Sequence, residues 1–125
     1  MAMVEPLDTG ALLSRTYELP AGPRVCLRYV HRTDVPGLSR LFAQREIDAG
    51  DMALTRLVRY DPTRRAVLCA TAPVDSTELI VGVGAIDLHP DAEPDTLVVD
   101  ERLTEGLGEL LYGALLGRAR ARRVA

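Results

Sequence analysis

An α+β domain, with mainly antiparallel strands flanked by helices, is the fold class this sequence predicts, and three observations carry it. Two β-prone runs, at residues 16–19 and 25–30, flank the punctuation Pro20-Ala21-Gly22-Pro23. Apolar residues then recur at helical spacing through residues 35–60, and from Arg65 onward the pattern turns to strands. A single long amphipathic stretch closes the chain, at residues 105–122.

Taken in order, residues 1–13 have no periodicity and are expected to form an N-terminal arm, with residues 14–125 as one domain. The first two runs predict a hairpin. In the second, Val25, Leu27 and Tyr29 share one face, with Cys26, Arg28 and Val30 opposite. Thr33 and Asp34 are helix-capping types and Pro36 suits a first turn, so Val35, Leu38, Leu41 and Phe42 read as the buried side of a helix. A second helix is expected from Asp51, as its cap, through Tyr60, burying Leu54, Leu57 and Val58; Asp61-Pro62 ends it. Residues 66–72 and 78–87 are apolar runs joined by the segment 73–77, which predicts an antiparallel pair. The β-branched run at residues 96–99 is a short strand. Leu107, Leu110, Leu111, Ala114, Leu115 and Ala119 make one stripe on the last helix. Arg118, Arg120, Arg122 and Arg123 gather at its C-terminal end, where cations complement the helix dipole.

Composition narrows the function classes. A chain of 125 residues has the length of one domain, and a hydrophobic share of 47% permits a packed core. Its formal net charge of -3 lacks the basic surplus that nucleic-acid binding requires. No apolar run approaches the roughly 20 residues that span a bilayer, and residues 1–15 lack the basic and apolar regions of a signal peptide, so a cytoplasmic protein is expected. Cys26 and Cys69 sit in strand-like runs and read as reduced core thiols. With His31 and His89 they show no metal-ligand spacing, and no metal is expected. All 15 basic residues are arginine, which excludes a lysine Schiff base and a complete Walker A loop.

The informative segment runs from Val98 and Val99 through Asp100, Glu101 and Arg102 to Leu103-Thr104-Glu105-Gly106-Leu107-Gly108. A strand, a short turn and a helix opening with two glycines follow one another. Glycine costs about 1 kcal/mol against alanine inside a helix, so a pair in the first turn needs a cause. Close approach of an anion is one cause, because the first N–H groups of a helix are unpaired and its dipole favours negative charge. Tight packing of the strand–helix connection is the other.

Residues 103–108 resemble the Arg/Gln-x-x-Gly-x-Gly/Ala signature of GNAT acyl-CoA N-acyltransferases, with Leu103 in the first position and Glu105 where a basic or small residue is usual. The run from Val25 to Arg28, followed by Thr33-Asp34 and a helix, is similar to that family's first strand and helix; residues 80–86 are similar to its third strand. The resemblance covers the chain from Val25 onward. It implies a GNAT-like mixed, mainly antiparallel sheet, limited to the N-terminal and cofactor-binding part, since the later strands, with the acid tyrosine, have no counterpart. It further implies acetyl-CoA as cosubstrate, its pantetheine along Val98 and Val99 and its pyrophosphate on the N–H groups of Thr104, Glu105, Gly106, Leu107 and Gly108. The acceptor would be a small-molecule or protein amine.

No catalytic residue is assigned. Asp87, Asp95, Asp100 and Glu101 stand near strand ends where a general base could act, and each is equally explained as a solvated acid. Tyr29, Tyr60 and Tyr112 read as packing residues and His31 as a loop residue. A degenerate module without cofactor, serving oligomerisation or regulation, is the alternative function. The last strand keeps an open edge in either case, and a homodimer is expected to cover it.

Overall fold

A computed structural model describes residues 16–20, 24–48, 50–74 and 76–121, without the side chains of Val74, Leu103, Thr104 and Glu105. The expected N-terminal arm, Arg122 and Arg123 lie outside the described residues. Strands β1 (Thr16–Glu18) and β2 (Arg24–Tyr29) lead into a short 3-10 turn (Arg32–Asp34) and helices α1 (Val35–Gln44) and α2 (Asp51–Val58). Strands β3 (Arg65–Val74), β4 (Thr77–Asp87) and β5 (Thr96–Val99) follow, then a second 3-10 turn (Glu101–Leu103) and helix α3 (Thr104–Ala121). The sheet order is β1-β2-β3-β4-β5, and every pairing among these strands is antiparallel.

The sheet carries helices on both faces, so both sides of its central strands are dry. That explains why β3 and β4 read as continuous apolar runs and not as alternating ones. On β3, Ala66, Leu68, Ala70 and Ala72 join β2 residues Val25 and Leu27 under α3, while Val67 and Cys69 face α1 and α2. From α3, Leu107, Leu111, Ala114, Leu115 and Ala119 fill the first cluster; from α1 and α2, Leu38, Leu41, Phe42, Leu54, Leu57 and Val58 fill the second. The face assignment made for β2 holds, with Val25 and Leu27 on one side and Val30 on the other. Close approach of α3 needs glycine beneath it: a Cβ at Gly84 would stand 2.6 Å from Leu115 Cδ1, and one at Gly82 2.9 Å from Leu111 Cδ1.

Three expectations are corrected. Asp34 occupies the N-cap position of α1 but caps nothing with its side chain. Its buried carboxylate instead takes both Arg28 guanidinium nitrogens, at 2.8 and 2.9 Å, and the His31 N–H, fastening the end of β2 to the helix start. Gly50, not Asp51, caps α2, which ends at Val58; Tyr60 lies beyond it and donates to the Val30 carbonyl at 3.0 Å. Pro73 and Val74 belong to β3, so the β3–β4 turn is tighter than the segment 73–77. Cys26 and Cys69 form no disulfide, and burial pushes the Cys69 thiol up to about 12. Among the described residues no helix is long and apolar enough to cross a membrane.

Candidate functional site

β5 is the outermost described strand beside α3, and its backbone defines an edge. The Asp100 N–H donates to the Val81 carbonyl at 2.8 Å, one step beyond the Gly82–Val99 pair. Peptide groups of an antiparallel strand alternate between partner and exterior. Thr96 and Val98 therefore bond to β4, while Leu97 and Val99 direct N–H and C=O outward. Side chains alternate too: Val99 packs with the α3 cluster and Val98 with the α1–α2 cluster.

Two hollows open off this edge, one on each face of the sheet. On the α3 side, Leu97, Gly108, Glu109, Tyr112 and Gly113 line a groove of about 390 Å³. A Cβ at Gly108 or Gly113 would meet no atom within 4 Å. On the other side, α1, α2, the segment before β3 and the start of β5 enclose a cleft of about 770 Å³, with Leu97 again on its wall.

The two glycines of the strand–helix segment differ in kind. Gly106 has φ +88°, a conformation that L side chains rarely adopt, and its missing Cβ would stand 2.6 Å from Pro20 Cδ. The β1–β2 hairpin thus rests on this turn, and Pro20 is the group that approaches Gly106. Gly108 faces open groove. Leu107 is fully buried in the core. The backbone of Thr104 and Glu105 opens α3, and their side chains lie outside the described part.

Each of the carboxylates weighed as a base has an arginine partner, though Asp87 and Glu101 stay largely exposed. Asp100 is fully buried and accepts from Arg102 N, Nε and NH2 and from Gln44 Nε2, at 2.9 to 3.1 Å. Arg102, chiefly, holds its carboxyl well below the usual carboxylate range. Sequence reasoning missed this post, since Gln44 is remote in sequence. Arg65 binds Asp87 at 2.8 Å and Asp95 at 2.6 and 2.7 Å, lowering the Asp95 carboxyl. Glu101 is exposed, 3.5 Å from Arg45. Tyr112, expected to pack, is exposed on the groove and donates to Glu93 Oε1 at 2.6 Å. Tyr29 accepts from Arg118 Nε at 2.6 Å, and burial raises the Tyr60 phenol to about 12; both are structural, as expected.

Helix–helix–strand–strand–strand–helix after a leading hairpin, with an open edge beside the last helix, defines a GNAT-like fold. The chain is similar to the GNAT domain of S. lividans PAT, whose crystal structure matches with a TM-score of 0.69, covering 86% of this chain and 72% of that one at 15% identity. Identity that low shows the fold and nothing finer. No family model and no curated protein matches the chain.

Proposed function

We propose that this GNAT-like domain binds acetyl-CoA along the outer edge of β5 and over the start of α3, and passes its acetyl group to an amine entering from the α1–α2 face. The supporting observation is the pair Gly108 and Gly113. Each costs α3 about 1 kcal/mol relative to alanine, and no neighbour requires either. Both line the groove beside the outward peptide groups of β5. A bound chain closing on the helix would account for them. Pantetheine amides can pair with Val99 and Leu97 as a further strand would, with Val98 behind them. The pyrophosphate would take helix-opening N–H groups of residues 104–108, where the dipole favours anions.

Transfer needs the amine nitrogen to attack the thioester carbonyl carbon. The C–S bond breaks, the thiolate takes up a proton and the ammonium nitrogen releases one. Each of the four acids near the strand ends has an arginine partner, and no general base is assigned.

Calorimetric titration with acetyl-CoA tests this. Micromolar binding is expected, lost in Gly108→Leu, whose side chain fills the groove while the thermal midpoint is kept. Absence of heat with the native chain, or undiminished binding by G108L, overturns it. Gly106 variants cannot serve, because positive φ and Pro20 make them folding variants.

A second reading, a non-catalytic module that pairs with a second copy, is favoured by the exposed Leu97 on an open backbone edge. Such a dimer would bury the peptide groups assigned here to pantetheine. Sedimentation without ligand therefore separates the two: a dimer that acetyl-CoA does not dissociate supports the module, and a monomer excludes it.

A further inference from the structure

The cleft on the α1–α2 face brings apolar and charged side chains together. Four large apolar side chains are exposed among the described residues: Ile47, Met52, Leu97 and Tyr112. Ile47, 40% exposed, stands on the wall of this cleft, with Phe42 and Leu57 deeper in it; Leu97 borders the cleft at the β5 edge, while its side chain lies on the α3 face beside Gly84. Arg56 and Arg59, at the C-terminal end of α2, line the same space. Among the described residues the Arg56 side chain makes a 4.0 Å hydrogen-bond approach to Met52 Sδ, and neither arginine has a carboxylate partner there. The helix dipole accounts for cations at that end of α2, but not for their standing beside exposed apolar walls. The wall formed by β4 and β5 carries Asp87 and Asp95, held by Arg65. The cleft thus holds Arg56 and Arg59 on one side and the Arg65-bridged carboxylates Asp87 and Asp95 on the other, with Asp61 and its partner Arg64 also on the lining and an apolar floor between.

We infer that this cleft is a binding site for a zwitterionic amine carboxylate with an apolar body, such as an α-amino acid with an aliphatic or aromatic side chain. Arg56 and Arg59 take the carboxylate, using donors whose planar fork matches a carboxylate's two oxygens. The apolar body lies on Phe42, Ile47 and Leu57. The ammonium group then points to Asp87 and Asp95, beside the β5 edge, which together with Arg65 keep one net negative charge. The assignment of this amine as acceptor rests on the acetyl-transfer reading; the site itself rests on the cleft alone. The cleft and the groove on the other face adjoin at the β5 edge, where Leu97 borders both.

The probes are L-leucine and L-leucinamide, which share side chain and ammonium and differ in the carboxylate. Each is titrated into the native chain and into the double variant Arg56→Gln, Arg59→Gln, and followed by amide NMR shifts at Ile47, Leu57 and Leu97. Binding of leucine at least 10-fold tighter than leucinamide is expected, and the double variant should erase that preference while retaining its spectrum elsewhere. Equal affinities, no shift with either probe, or a preference surviving in the double variant overturns the site. No CoA is present, so failure here leaves the cofactor reading to its own calorimetry. Conversely, a retained 10-fold preference in a chain that binds no acetyl-CoA supports the site and sinks the transfer.

Discussion

Asp100 shows how much one side chain can fasten. It ends β5, begins the turn into α3, and through Gln44 ties both to α1. Its removal would strand a Gln44 amide and the Arg102 N–H, and buried donors without partners cost roughly 1–3 kcal/mol. Asp100→Ala should accordingly lose about 1–3 kcal/mol in urea unfolding; a loss under a few tenths would mean that water replaces the carboxylate. In the linear sequence Asp100 is one of several acids near strand ends, and nothing local separates it from exposed Glu101. The difference is burial, which residues distant in sequence impose.

At the scale of elements, α3 joins two requirements. Its inner stripe of Leu107, Leu111 and Leu115 sits over Gly82 and Gly84 of β4, the close approach that sets helix against sheet. Its outer side carries Gly108 and Gly113 over open groove. Gly113→Ala should raise stability by about 1 kcal/mol in the absence of ligand, the ordinary helix-propensity gain. A destabilised G113A would reveal a packing demand that the open Cβ position does not show. The inner stripe was legible from period alone, and so was the existence of the helix. The division of labour among glycines was not: Gly106 and Gly108 look alike in sequence, yet one bears Pro20 and a positive φ while the other faces solvent.

The whole molecule is a sheet between two apolar layers, and buried or clamped carboxylates pin its margins. Asp34, Asp95 and Asp100 all have depressed values, through Arg28, Arg65 and Arg102 respectively. A carboxyl lowered on folding contributes stability that is present above its unfolded value of about 3.9 and is lost as pH falls through the folded one. The urea midpoint should therefore be flat between pH 7 and about pH 5 and fall steeply below about pH 4. A midpoint unchanged at pH 2.5 would show that these three pairs form equally well in the unfolded chain.

Sequence by itself determined the elements, their order and the buried face of β2 and of the helices, because hydrophobic period and turn residues are local records of burial. It also placed the strand–glycine–helix segment that the cofactor proposal uses. Only the tertiary structure decided that Asp34 pairs with Arg28, that Pro20 covers Gly106, and that Leu97 divides a cleft lined by charges of both signs from a groove along α3. Each of these depends on groups brought together across the sheet from distant points on the chain, and such distances leave no trace in a local pattern of residues.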